Sequence, residues 1–326
     1  MKNTIVLSFA FLLLSASVLL SQDTKGLQLI SRNYKDSVVL RWAPTSALQW
    51  SRLNRFGYRV ERVVLEKERK TKSEFQQLNS DSLKPWPVEV WKQKFLPEHP
   101  FAPIAVQAVH GKVFAASSFQ SEVGSIKAKS QEIELRHSFS LFAADMDARV
   151  ADGLALRWVD TSVPSDKRVL YRIIALDPDF PDTALVGINR SEIDAPVPIP
   201  DLPQADEGDK QIKLRWNTFP ETPYFTAWWV EKSIDGKSWK KASSHPLVKA
   251  DPPGALYPEP YLYYTDTTLS KNYVPVFYRL RGITPFGETS EPSAQLVAMG
   301  RDKTAPPSPE MGNPKDVNGK IQIAWK

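Results

Sequence analysis

The chain has 326 residues, 42% hydrophobic and 24% charged, a size that allows about two or three domains with real cores and a composition that excludes a wholly disordered chain. Its 27 Pro against 14 Gly, in no Gly-x-y register, exclude collagen, and its lack of Cys removes disulfides, thiolate metal sites and Cys nucleophiles together. With 42 Lys+Arg against 37 Asp+Glu the net charge is only +5, which gives no case for a nucleic-acid-binding surface.

At the N-terminus Lys2 precedes an apolar run from Ile5 to Leu14, small and apolar residues continue to Ser21, and Gln22-Asp23-Thr24-Lys25 is polar. That order predicts a secretory signal peptide over residues 1–22. The stretch from Ile5 to Leu20 is interrupted by serines and falls short of the ~20 residues needed to span a bilayer. No other uncharged apolar run approaches that length, so no transmembrane helix is expected in the mature chain. The expected location is periplasmic, cell-surface or extracellular, and export without disulfides suits a bacterial protein.

Along the rest of the chain one short pattern recurs. Ser37-Val38-Val39-Leu40-Arg41-Trp42, Gln211-Ile212-Lys213-Leu214-Arg215-Trp216 and Lys320-Ile321-Gln322-Ile323-Ala324-Trp325 each read as a strand ending on Trp, the last two strictly alternating. A second strand follows the first two copies, Tyr58-Arg59-Val60-Glu61-Arg62 and Trp228-Trp229-Val230-Glu231-Lys232. Later come Trp158-Val159-Asp160-Thr161-Ser162 and Tyr264-Thr265-Asp266-Thr267-Thr268, then Val169-Leu170-Tyr171-Arg172-Ile173 and Val276-Phe277-Tyr278-Arg279-Leu280. Trp42 and Trp216 lie 174 residues apart and Trp216 and Trp325 109 apart, so the first copy is longer by 65. Tyr58 to Asp160 is 102 residues and Trp228 to Asp266 is 38, which puts nearly all the excess into one insertion at about residues 84–152.

This order of landmarks resembles the fibronectin type III family over nearly all of the mature chain except the insertion. The resemblance implies tandem seven-stranded, immunoglobulin-like β-sandwiches, mainly β, with a core signature of Trp42, Tyr58, Tyr171, Trp216, Trp228, Tyr278 and Trp325. In the second copy it extends through Arg281-Gly282-Ile283-Thr284-Pro285-Phe286-Gly287-Glu288, which looks like the family's F–G loop. The expected domains are 23–194, carrying the insertion, then a Pro-rich linker at 195–209, a second sandwich at 210–300, and at 301–326 a linker with the first strands of a third. Because a lone strand cannot bury its face, the natural product is expected to continue past Lys326. Proline-dense linkers such as Pro196-Val197-Pro198-Ile199-Pro200 favour semi-stiff spacers and a rod of limited bending.

The insertion changes character from strand to helix. One amphipathic helix is expected from Ser130, with Leu135, Phe139, Phe142, Met146 and Val150 on one face and Gly153 as C-cap. Shorter helices are expected at Ala102 to His110, stopped by Gly111, and around Val88 to Phe95, bracketing Trp91. The Phe/Met stripe reads either as a surface for another macromolecule or as packing on the first sandwich.

The search for chemistry finds little. The four His, at 99, 110, 137 and 245, form no metal-ligand spacing, and no nucleophile elbow or phosphate loop occurs. Asp145, Asp147 and Asp152-Gly153 miss the glycine and glutamate positions of a calcium loop. Asp160 and Asp266 recur as turn-formers, and the mixed run Glu66 to Lys72 reads as a solvated hairpin end. No catalytic residue, cofactor or metal is therefore expected. Aromatics are the one excess, with Trp228, Trp229, Trp239, Tyr257, Tyr261, Tyr263 and Tyr264 close together in the second copy. With Trp228 in the core, period two exposes Trp229, and Trp229 with Tyr261 and Tyr263, or Trp91 in the insertion, reads as a binding surface for sugar rings or protein. The expected function is a non-enzymatic spacer and binding module, in a style similar to secreted multidomain proteins of the Bacteroidota. The alternative is the non-catalytic arm of a secreted glycoside hydrolase or protease.

Overall fold

Strand β1 (Leu27–Asn33) turns through Tyr34–Ser37 into β2 (Val38–Pro44), and the two pair antiparallel from Leu27↔Pro44 to Asn33↔Val38. The computed structural model describes residues 26–65, 74–112, 114, 126–219, 224–249 and 259–325. The expected signal peptide, the run Glu66 to Lys72, Tyr257 and Lys326 lie outside them.

After β2 comes a helix that the strand pattern does not announce, α1 (Ala47–Phe56). Its signals are local. The Ser46 hydroxyl accepts from the Gln49 amide as N-cap, Ala47, Trp50 and Leu53 recur at three-residue spacing as the buried face, and Gly57 ends it at φ +86°. The first sandwich continues with β3 (Tyr58–Leu65), β4 (Gln76–Gln77), α2 (Val88–Lys94), α3 (Ala102–His110), α4 (Ile126–Met146), α5 (Ala148–Gly153), β5 (Arg157–Asp160), β6 (Arg168–Ala175) and β7 (Asp182–Asn189). Two sheets result, β1-β2-β5 and β4-β3-β6-β7.

The second sandwich is built from β8 (Gln204–Gly208), β9 (Gln211–Asn217), β10 (Ala227–Ser233), β11 (Lys240–Lys241), β12 (Tyr261–Asp266), β13 (Val276–Ile283) and β14 (Leu296–Ala298). Its sheets, β8-β9-β12 and β11-β10-β13-β14, repeat the order of the first. Each sandwich is thus a three-stranded sheet facing a four-stranded one, the fibronectin type III arrangement, and the chain is mainly β. A hairpin follows, β15 (Lys315–Val317) with β16 (Lys320–Gln322), bridged at Met311 and Trp325.

Alternation puts one face of each strand into the core. In β9 Ile212, Leu214 and Trp216 are buried between exposed Gln211, Lys213 and Arg215. In β13 the same period buries Val276, Tyr278 and Leu280, and in β6 it buries Val169, Tyr171 and Ile173. Trp42 and Tyr58 meet edge to face in the first core, with ring centroids 5.6 Å apart. Of the core signature, Trp42, Tyr58, Tyr171, Trp216, Trp228 and Tyr278 are all buried, whereas Trp325 is 64% exposed on its hairpin.

The helices depart from expectation in three ways. The long helix is two, because Asp147 takes an extended conformation and its carboxylate accepts from the Arg149 amide, starting α5 afresh. Gly153 is the last residue of α5 and not its cap; a side chain there would meet Trp91 at 2.4 Å, so glycine lets the helix end lie flat on the indole. The stripe is followed only in part. Met146 and Val150 are buried as expected, but Phe139 lies 36% exposed, and the other buried positions of α4 are His137, Ser140, Ala143 and Ala144. Small residues face inward because α4 lies closely over α1, where His137 meets the Trp50 ring at 5.7 Å and the Pro44 carbonyl at 3.0 Å.

Candidate functional site

The four helices from Val88 to Gly153 belong to the first core: Trp91, Ala105, Ala143, Val150 and Leu154 are buried with Leu40, Tyr58 and Ile173 in one cluster. Trp91 is 2% exposed, donates from its ring nitrogen to the Trp86 carbonyl and stacks on Phe95, so the structure removes it from any surface platform. Its apolar ring holds α2 against α5, the reason it is drawn inward.

The outer edge of the same helices packs on the second sandwich. Met146 is buried with Ala227 of β10 and Ile283 of β13, and Phe101, Phe142, Trp229 and Val248 pack around them. Trp229 is therefore half-buried at the junction of the two sandwiches, with the Lys241 ammonium 3.6 Å above its ring. It also sits on the four-stranded sheet, whereas Tyr261 and Tyr263 sit on the three-stranded one, so they form no common platform with it.

Beside this apolar contact, the loop after β13 docks on the first sandwich. The loop is tied by Thr284, whose amide donates to the Glu288 carbonyl at 2.9 Å and whose carbonyl accepts from Gly287 at 3.0 Å. Gly287, at φ +86°, lies where an added Cβ would meet Ala148 of α5 at 2.8 Å. Arg41 of β2, 5% exposed, donates to the Pro285 carbonyl at 3.0 Å, to the Leu156 carbonyl at 3.1 Å and to Asp145 at 2.7 Å. One guanidinium thus joins strand, helix and neighbouring loop. Burial lowers the Arg41 pKa, and burial also raises that of Asp145 against the pull of Arg41. Arg32 reaches Glu288 at 3.3 Å, and burial together with the Glu288 charge pushes the Tyr34 phenol up to about 12.

Open to solvent, by contrast, is the outer face of β8-β9-β12. Gln204, Arg215 and Tyr263 stand opposite one another across the three strands, and Asp206, Lys213 and Thr265 form the next row. Tyr263 is 41% exposed and its ring lies 6.5 Å from that of half-buried Tyr261. Lys213 sits 4.5 Å over Tyr263 and Arg215 5.5 Å over Tyr261. Gln204, Ala205, Asp206, Lys213, Arg215 and Tyr263 line a cavity of about 460 Å³. Of the four aromatics named from the sequence as a binding surface, only this pair is brought together at an accessible face.

The carboxylates are committed to structure. Asp160 accepts from Tyr171 at 2.7 Å, Arg62 at 2.6 Å and Ser162, and Asp266 accepts from Tyr278 at 2.6 Å, Lys232 at 2.6 Å and Thr268. Burial would raise both carboxyls, but these hydrogen bonds outweigh it and hold them below the usual range, while burial and the neighbouring carboxylates raise the two phenols. Asp147 pairs with Arg149 and contacts His99 at 3.1 Å, and Asp152 pairs with Arg157 at 2.9 Å. Among the described residues no three His, Cys, Asp or Glu are grouped to hold a metal, and no helix is long and apolar enough to cross a membrane.

No family model matches the chain. None of the curated proteins matches it either. Among solved structures it is similar to the FN1–FN3 domains of chicken CNTN1, at 9% identity and a TM-score of 0.34, over 84% of this chain and 65% of that one. It is similar also to a segment of two fibronectin type III domains of chicken tenascin, at 10% identity and a TM-score of 0.24, over 84% and 98%. A domain segment of titin matches at 16% identity and a TM-score of 0.26, over 45% and 46%.

Proposed function

We propose that this protein is a non-enzymatic, exported spacer and binding module, whose tandem sandwiches engage protein or polysaccharide at the cell envelope or outside the cell. The observation that carries the reading is the junction, where Met146, Ala227 and Ile283 share one buried cluster and Arg41 ties the first sandwich to the loop of the second. A module that presents a surface at a fixed angle meets its ordering cost before the partner arrives. The helical insertion is then a brace.

Because the chain has no Cys, single labels can be placed cleanly. With Leu185→Cys and Val297→Cys, both at exposed positions on different sandwiches, dipolar spectroscopy of the full mature chain is expected to give one narrow distance distribution. A broad distribution sinks the spacer. Export is tested by intact mass: the secreted product should lack about the first 22 residues, and an unprocessed chain retained in the cytoplasm would overturn that part.

A further inference from the structure

We propose that the outer face of β8-β9-β12 binds an acidic polysaccharide, a chain of sugars that carry carboxylates, with its polymer axis along the strands. This rests on the binding-module reading above and names its partner.

Three observations carry it. First, the face presents the same pair twice, a tyrosine ring with a cation over it: Lys213 with Tyr263 at 4.5 Å, and Arg215 with Tyr261 at 5.5 Å. Tyr261 and Tyr263 are two residues apart on one strand and point to one side, so the pair recurs at the step of the strand. A ligand that alternates an apolar ring face with a negative charge matches that repeat. Sugar rings offer such a face through their axial C–H groups, and carboxylates supply the charge.

Second, Lys213 and Arg215 have no carboxylate partner among the described residues; Arg215 donates to the Gln204 amide oxygen at 3.0 Å and Lys213 has only the ring of Tyr263. Most arginines elsewhere on the sheets are paired, Arg32 with Glu288, Arg41 with Asp145, Arg62 with Asp160, Arg279 and Arg281 with Glu231, while Arg168, Lys240 and Lys241 share with Lys213 and Arg215 the lack of a carboxylate partner among the described residues. The one carboxylate in the cavity, Asp206, faces Lys303 at 3.3 Å. Third, the cavity of about 460 Å³ is open at the sheet surface, and is lined by the amide, the two cations and the ring.

The test is calorimetric titration of the full mature chain with oligogalacturonate, its fully methyl-esterified form and poly-glutamate. Binding of the acid form, about tenfold or more weaker for the ester and weakened by salt, is expected. K213Q/R215Q should abolish it and Tyr263→Val should weaken it about tenfold through the lost ring face. Both variants change exposed side chains, so their melting temperatures should stay at that of the parent. Absence of binding by the parent chain overturns the proposal, as does equal binding of acid and ester. Unchanged binding by K213Q/R215Q would place the ligand elsewhere, and equal or tighter capture of poly-glutamate would assign the face to an acidic protein. None of these substitutions touches the junction, so the label distance between the sandwiches separates a failed ligand from a failed spacer.

Discussion

The three-stranded sheets of the two sandwiches carry nearly the same central strand and end in opposite environments. Leu40-Arg41-Trp42 and Leu214-Arg215-Trp216 put Leu and Trp into their cores alike, yet Arg41 is buried and Arg215 is exposed. The neighbours differ in step: Val39 stands where the second strand has Lys213, and Arg157 where it has Tyr263. In the first sandwich α4, α5 and the loop of the second close over this face. In the second nothing among the described residues does. A β-sheet face is one structural object with two uses, and what covers it decides whether its arginine is part of the architecture or free for a ligand.

The largest effect should come from breaking that difference at its centre. Arg41→Ala removes a buried guanidinium and leaves half-buried Asp145 and the Pro285 and Leu156 carbonyls without their donor, and is expected to cost about 2–4 kcal/mol of stability in urea unfolding. Arg215→Ala, at the matching position, should stay within about 0.5 kcal/mol. Equal costs at the two positions would dissolve the comparison.

Gly287→Ala attacks the same cover from the other side. It combines a positive φ with a Cβ placed 2.8 Å from Ala148, and is expected to cost about 1–3 kcal/mol. The loss should fall on docking, so that the label distance between the sandwiches broadens while each core keeps its own spectroscopic signature. A narrow, unshifted distance would show that the loop is not what holds the junction.

The repeat was legible because it rests on period two and on large aromatics whose spacing survives between copies; β9 is buried at every position the alternation marks. The helix Ala102–His110 and its stop at Gly111 were equally plain. The break at Asp147 was not, since the same residue reads as a polar position on a continuous helix until its carboxylate is seen capping α5. Nor was most of the buried face of α4, of which the apolar stripe marked only Met146. Ala143 and Ala144 are a weaker apolar signal than Phe139, but small side chains are what a close crossing over α1 admits. The junction was illegible for a different reason: Trp229, Met146 and Pro285 lie far apart in sequence, and no local pattern tells a strand face covered by a neighbour from one covered by water. Period two rightly turned Trp229 away from its own core without saying what it would meet.

The two aspartate nodes give a smaller effect that both sandwiches should share. Asp160 and Asp266 have pKa values held below the unfolded value of ~3.9, so each contributes stability that is present above that pH and is lost as pH falls through the lower folded value. Urea midpoints should therefore fall on the acid side of about pH 4. Asp266→Asn should flatten that dependence in the second sandwich and leave the first unchanged; flattening in both would mean that the sandwiches unfold as one unit.

The smallest expected effect is at the rim of the junction. Arg32 and Glu288 are each about one-fifth exposed and meet at 3.3 Å, a length at which water and salt compete for both. Glu288→Gln should cost less than about 1 kcal/mol, and the cost should shrink further in high salt. Its more telling reading is the Tyr34 phenol, which burial and the Glu288 charge together push up to about 12. Removing the charge should bring that titration down towards, but not to, the ordinary tyrosine value, because the burial remains. If the phenol instead titrates like a free tyrosine, the substitution has opened the junction, and the small energy would mark the loop as weakly held rather than the pair as weakly coupled.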